Sequence, residues 1–411
     1  MAGGCNVKSR RQFLKTGALG TGAAAMTPVL PQAAVREADA ANRVRRYVTL
    51  GRTGLKMSDV SFGSSRLRLG EEDLVRHALG KGVNYFDTAE GYTGGESERV
   101  LGNVLKGQRE RVIIASKTVA SASASKERIM GELEGSLRRL QTDHVDIYFN
   151  HAVNDVARLD NPEWFEFCER AKQQGKIRFT GMSGHAGRLV ECLDHAFDKD
   201  MVDVVLVSLN FGQDPEFHER FTRGFDLVAR HPQLPRALRR AKQLDVGVVA
   251  MKCLMGARLN DMRPYERDGA SFAQAAFRWT LSQPNVDALV ISMTSTAKID
   301  EFLGASAWQS LAAGDTALLR RYAALNGASY CQQGCNDCAG ACPFDVPISD
   351  VLRTRMYATD YQDLDFARRE YAQLEVNASP CLGCSGAPCQ DACSHGLSIA
   401  ELCAPTHRML A

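Results

Sequence analysis

The chain has 411 residues, of which 45% are hydrophobic and 24% charged, with a net charge of +2. Such a length exceeds what one core usually spans, so one large domain with a smaller satellite is expected. The near-neutral balance carries no electrostatic footprint for nucleic acid or an acidic partner. Of the thirteen cysteines, eight fall between Cys331 and Cys393. A disulfide framework holding the whole chain together is therefore excluded.

The first segment, SRRQFLKTGALGTGAAAMTPVLPQAA, places Arg10 and Arg11 before Phe13, Leu14 and a weakly apolar run of small residues. It resembles a bacterial twin-arginine export signal over residues 1–34, with processing near Ala33 and Ala34 and a periplasmic or otherwise exported product. A disordered basic arm is the plain alternative. Pro28, Pro31 and the many small residues argue against a membrane span.

From Tyr47 the chain reads YVTLGRTGLKMSDVSFG, two short alternating segments around a glycine turn. Eight apolar strand candidates follow, at 60–63, 83–88, 112–117, 145–151, 177–184, 202–210, 246–252 and 286–292. Helical periodicity fills the gaps. Ile129, Leu133, Leu137 and Leu140 recur at spacings of three and four, and Phe272, Ala276 and Trp279 do so before Pro284. Strands apolar through most of their length suit a parallel sheet covered by helices. Eight such units over roughly 250 residues predict a (β/α)8 TIM barrel. An open doubly wound sheet is the alternative, but no GxGxxG follows the first strand.

Barrel chemistry is built where strands end at the C-terminal face. Asp87, Lys117 and His151 each stand at such an end, and Tyr92 follows Asp87 by five residues. Singly, each has an ordinary reading as a cap, a rim charge, a loop histidine or loop packing. Together they form an acid–base set: cationic Lys117 is expected to lower the Tyr92 pKa, Asp87 to hold Lys117, and His151 to bind a substrate oxygen.

The run from YVTLGRTGLKMSDVSFG through GVNYFDTAEGYTGGESERVLG, IIASKT and DIYFNH to PNVDALVIS resembles the aldo-keto reductases over residues 46–305. The resemblance implies a (β/α)8 barrel, a catalytic tetrad of Asp87, Tyr92, Lys117 and His151, and hydride exchange with a nicotinamide cofactor, usually NADP. Its substrates would be small aldehydes, ketones or sugars. On the same resemblance Ser183 and Asn210 help to hold the nicotinamide, while Thr294, Ser295 and Lys298 cradle a phosphate. Gly184 stands where asparagine is common, Leu206 where glutamine is usual, and Leu209 where a ring normally stacks on nicotinamide; Lys252 and Cys253 replace a frequent serine and proline. These changes predict looser placement of the cofactor ring, and hydride transfer depends on close alignment.

Two cysteine groups end the chain: Cys331, Cys335, Cys338 and Cys342, followed by proline, and Cys381, Cys384, Cys389 and Cys393. Their spacing approaches the ferredoxin run C-x2-C-x2-C-x3-C-P with small insertions. Structural zinc and disulfides or free thiols are the alternatives. The region resembles a two-cluster ferredoxin domain over residues 325–400. That resemblance implies two [4Fe–4S] clusters, one held by Cys331, Cys335, Cys338 and Cys393 and the other by Cys381, Cys384, Cys389 and Cys342.

The expected protein is thus an exported iron–sulfur oxidoreductase acting on a small carbonyl or alcohol, with clusters passing electrons to a redox protein partner. One alternative is an NADP-dependent carbonyl reductase whose clusters are structural or sensory. Another is a non-enzymatic electron-transfer or docking subunit on a retired barrel. The insertion at 210–235, with Phe211, Phe217, Phe221 and Phe225, is a candidate substrate lid; packing against a neighbouring helix is its plain reading.

Overall fold

In a computed structural model, all eight strand candidates become barrel strands. It describes residues 42–185, 188–213, 231, 233–254, 262–266, 271–308, 310–326, 331, 337–359, 364–394 and 396–411. The strands are β3 (Val60–Gly63), β4 (Tyr85–Asp87), β5 (Ile113–Thr118), β6 (Val145–Asn150), β7 (Ile177–Gly184), β8 (Val204–Ser208), β9 (Gly247–Met251) and β10 (Ala288–Ser292). They pair in parallel, each with its sequence neighbour, and β10 closes onto β3. Their alternating side chains feed two cores. Tyr85, Ala115, Ile147, Phe149, Leu206 and Val249 fill the barrel interior, while Phe86, Ile114, Tyr148, Val205 and Val248 face the surrounding helices.

The glycine-turn segment forms an antiparallel hairpin of β1 (Tyr47–Thr49) and β2 (Lys56–Ser58). Its Leu50, Leu55 and Met57 join the interior core, so it plugs the end of the barrel where the strands begin. At its tip Gly51 has φ +46°, and a Cβ there would come within 2.4 Å of the Asp245 carbonyl oxygen. Only glycine tolerates both constraints.

The helices follow the periodicity. The helix Lys126–Leu140 buries Ile129, Leu133, Leu137 and Leu140 and is capped by Ser125, whose side chain accepts from Arg128 N. Phe272–Ser282 buries Phe272, Ala276 and Trp279 and stops before Pro284. The helix Ala313–Asn326 then packs on the barrel's flank. Its Tyr322 stacks on Phe272 with ring centroids 4.5 Å apart, and its Asp315 binds Arg278 at 2.8 Å.

The last region departs from expectation. It is α-helical, with helices Ile348–Thr359, Leu364–Ala372 and Ile399–Leu410 around a core of Val346, Val351, Leu352, Tyr371, Leu397, Ile399 and Cys403. Compactness places residues 42–411 in one unit, so these helices are continuous with the barrel. Among the described residues, no group of three or more His, Cys, Asp or Glu side chains is arranged to hold a metal ion. Among the described residues, Cys331, Cys338, Cys342, Cys381, Cys384, Cys389 and Cys393 form no disulfide; Cys389 is buried and the others are half-buried, most of them against the apolar core. Cys335 lies outside the described residues. The two [4Fe–4S] clusters, the ferredoxin-like domain and the cluster-borne electron transfer are therefore corrected to a helical subunit built on an apolar core. Sequence spacing sets only how far apart thiols lie along the chain. A cluster needs them to converge in space. The expectation of a redox protein partner rested on the clusters and is left without support.

Residues 1–34, expected as an export signal, and residues 214–230 of the expected lid, with Phe217, Phe221 and Phe225, lie outside the described residues. Phe211 is buried edge-on to Phe272 and Tyr322, so it belongs to the outer core. Among the described residues no helix is long and apolar enough to cross a membrane.

Candidate active site

The barrel brings the four expected residues to one rim. Asp87 ends β4, Lys117 lies one residue from the end of β5, and His151 follows β6 directly. Tyr92 opens a short turn whose next three residues, Thr93, Gly94 and Gly95, all have positive φ. A non-glycine in that region carries strain. Here the Thr93 hydroxyl donates to the Leu67 carbonyl at 2.8 Å and accepts from Ser97 N at 3.0 Å. Those bonds hold the turn and aim Tyr92 at the barrel mouth.

Inside the rim, Lys117 Nζ donates to Asp87 Oδ1 at 2.5 Å and to the Thr88 carbonyl at 2.7 Å. It also lies 3.3 Å from the Tyr92 hydroxyl and 4.7 Å from that ring's centroid. The His151 ring meets Tyr92 edge-on at 5.7 Å. Asp87 Oδ2 is buried without a hydrogen-bond partner among the described residues.

Burial dominates the electrostatics. It pushes the Asp87 carboxyl up and the Lys117 ammonium down, and each charge partly restores the other. Desolvation, reinforced by Asp87 and Glu370, raises the Tyr92 phenol well above its ordinary value. The expected lowering by Lys117 is thus reversed. The ammonium is already committed to Asp87 and Thr88, and a buried phenolate loses more hydration than one neighbouring charge returns. Burial, with Lys117, Arg158 and Lys252 nearby, drives His151 well below its usual value and keeps its imidazole neutral.

The expected cofactor residues share this face. Ser183 lies in β7, its hydroxyl accepting from Ala152 N at 2.9 Å, and Asn210 follows β8, its carbonyl oxygen accepting from Gly212 N at 3.1 Å. The Ser183 hydroxyl proton and the Asn210 amide hydrogens remain suited to a carboxamide. Ser295 caps the helix Thr296–Leu303 by accepting from Lys298 N, and Lys298 Nζ is 3.4 Å from the Thr294 hydroxyl. Helix-end N–H groups beside a lysine suit a phosphate. Leu206 is packed in the barrel interior and Leu209 in the outer core, so neither presents an amide or a ring. The donor set fits a nicotinamide dinucleotide at its carboxamide and phosphate ends, without aromatic stacking.

Some rim residues were missed from the sequence, and Lys252 was noted there only as a departure from the family pattern. His185, just past β7, has a buried Nδ1 without a partner among the described residues. Lys252, just past β9, lies 3.5 Å from the Tyr357 hydroxyl of the C-terminal helices. Arg158 braces the rim by donating to Asn150, His151 and Ala152. A strand-end position was a usable signal for Lys252 and His185. Tyr357 had none.

The sequence profile of the aldo/keto reductase family matches residues 68–322, well over half of the chain. The chain belongs to the aldo/keto reductase family. Among curated proteins, it is 28% identical to L-galactose dehydrogenase of Arabidopsis thaliana, over 62% of this chain and 86% of that protein. It is 26% identical to aldo-keto reductase YhdN of Bacillus subtilis, over 64% of this chain and 89% of the relative. The holo form of aldo-keto reductase AKR11C1 from Bacillus halodurans superposes with a TM-score of 0.53 at 21% identity, covering 67% of this chain and 95% of that structure. That likeness concerns the fold. The family match ends at residue 322, so the C-terminal helices lie beyond it.

Proposed function

We propose that this aldo/keto reductase interconverts a small carbonyl compound and its alcohol, with Tyr92 exchanging the proton at the substrate oxygen. The observation that carries this reading is the Tyr92–Lys117–Asp87 chain, with Lys117 Nζ 3.3 Å from the phenol and 2.5 Å from the carboxylate. Such a phenol stays protonated in the resting site and is ready to donate.

When bound, a nicotinamide dinucleotide supplies or accepts the hydride; Ser183 and Asn210 would hold its carboxamide, and Thr294, Ser295 and Lys298 its phosphates. This chain's own residues manage the oxygen. In reduction, neutral His151 donates a hydrogen bond to the substrate oxygen while Tyr92 gives up its proton as negative charge develops there. The phenolate left behind sits beside Lys117, whose charge stabilises it until a solvent proton returns. In oxidation the same path runs backward.

The test is Tyr92→Phe, assayed with NADPH or NADH against small aldehydes. Loss of a general acid is expected to lower kcat by roughly 10²–10⁴-fold. Activity equal to the parent would refute the assignment. Similarity to L-galactose dehydrogenase makes a sugar one substrate to try first.

Export by the twin-arginine route remains a proposal, supported by Arg10 and Arg11 ahead of Phe13 and Leu14. Replacing both arginines with lysine should retain a fused reporter in the bacterial cytoplasm, and unchanged export would end the idea.

A further inference from the structure

Two lysines reach the C-terminal rim of the barrel, and they are held differently. Lys117 is clamped: its ammonium donates to Asp87 Oδ1 at 2.5 Å and to the Thr88 carbonyl at 2.7 Å. Lys252 directly follows β9, where Leu209 N donates to the Met251 carbonyl at 3.0 Å and fixes the strand end. Among the described residues no carboxylate forms a salt bridge with Lys252, and its hydrogen bond is a single long one, 3.5 Å to the Tyr357 hydroxyl. An ammonium carries three donors. Little in its surroundings therefore holds the charge on Lys252.

The backbone sets this lysine apart. Val249 and Met251 lie with the barrel interior, and strand alternation would send Cys253 there too, yet Cys253 is packed in the outer core. The break falls at Lys252, whose φ of +59° is left-handed. A non-glycine residue held so is strained, and such strain gathers at functional sites. The side chain is half-buried, shielded from bulk water without being sealed off. Tyr357, on the helix Ile348–Thr359, packs against the apolar core of the C-terminal helices and brings its hydroxyl to Lys252 Nζ, with its ring centroid 5.8 Å away. Burial, with the Arg353 charge adding to it, lowers the Lys252 ammonium to about 7. A desolvated lysine without a counter-charge is an amine ready to attack a carbonyl carbon.

We propose that Lys252 is a second reactive group of the barrel rim, an amine that captures a small aldehyde as an imine while Tyr357 handles the protons. The neutral amine attacks the carbonyl carbon; a C–N bond forms, and one proton passes from nitrogen to oxygen to give a carbinolamine. The Tyr357 hydroxyl then donates to that oxygen, the C–O bond breaks and water leaves. The nitrogen lone pair closes the C=N bond, and the Tyr357 phenolate takes a proton back from nitrogen. No oxidant or reductant is consumed, so the step is independent of hydride transfer and of Tyr92. Lys117 is unsuited to it, because its donors are committed to Asp87 and Thr88.

The test is reductive trapping. The full-length protein is incubated at pH 7 with butanal and cyanoborohydride, which reduces an imine to a stable amine, and without nicotinamide, so that no hydride transfer by the enzyme competes. Peptide mass spectrometry follows alkylation of each lysine with time. Lys252 should be modified at least tenfold faster than the exposed Lys56 and Lys172, because an ordinary lysine is a neutral amine in only roughly one molecule in 10³ at that pH. Tyr357→Phe, checked for folding by circular dichroism, should slow modification of Lys252 severalfold. Tyr92→Phe should leave it as fast as in the parent, which separates this inference from the proton-transfer reading. Modification of Lys252 no faster than that of Lys56 and Lys172 in the unmodified protein would overturn the proposal whatever the variants do. A folded Tyr357→Phe that reacts at the parent's rate would overturn the part given to Tyr357.

Discussion

Lys117 Nζ and Asp87 Oδ1 meet at 2.5 Å within a rim where both side chains are almost wholly buried. Adjacent strands carry them, and β4 and β5 pair Asp87 with Ala115. Neither charge has bulk water to fall back on, so removing one strands the other. Asp87→Ala should destabilise the protein by about 3–5 kcal/mol. Adding Lys117→Met to that variant should recover part of the loss, because the orphaned ammonium is gone. Urea unfolding of the two variants checks both statements, and equal midpoints for the single and double variants would contradict the pairing.

The pH dependence should differ between the two directions of reaction. With the phenol of Tyr92 raised well above its ordinary value, principally by burial, carbonyl reduction should stay level from neutral pH into the mildly alkaline range. Alcohol oxidation needs the phenolate and should increase with pH over the same range. Rate profiles in both directions decide this; a fall in reduction centred on neutrality would point to a different proton donor.

Buried histidines should make the fold sensitive to acid. Desolvation lowers His231 to about 4, and it drives His151 and His185 well below 6.5. Each is neutral when folded and takes up a proton on unfolding once the pH drops below 6.5. Acid therefore favours the unfolded chain, and stability is lost as pH falls from 6.5 towards 4, by up to ~1.4 kcal/mol per pH unit for each histidine. His231→Phe should flatten that slope in thermal melts at pH 7, 6 and 5. An unaltered slope would remove His231 from the account.

The hairpin plug depends on Gly51. Alanine there would adopt a left-handed conformation and push its Cβ into the backbone of Asp245 and Gly247. A loss of at least ~2 kcal/mol is expected from strain alone. Gly54→Ala, where φ is also positive but a Cβ has open space, should cost less. A calorimetric comparison of the two separates conformational strain from collision.

The sequence by itself determined the barrel and the rim. Eight apolar runs became eight strands because parallel strands covered on both faces must be apolar throughout, a local property that residue order records. Asp87, Lys117 and His151 were legible as rim groups because a strand's last residues always reach the same face of a barrel. Tertiary structure decided what depends on groups distant in the chain. It placed Leu206 in the core, turned Tyr92 into a strongly protonated phenol by enclosing it, and brought Tyr357 of the C-terminal helices against Lys252, across 105 residues. Cysteine spacing suggested iron–sulfur clusters, but among the described residues no group of three or more His, Cys, Asp or Glu side chains is arranged to hold a metal ion, and the region is built around an apolar helical core. Spacing constrains neighbours along the chain; desolvation and convergence belong to everything folded around them.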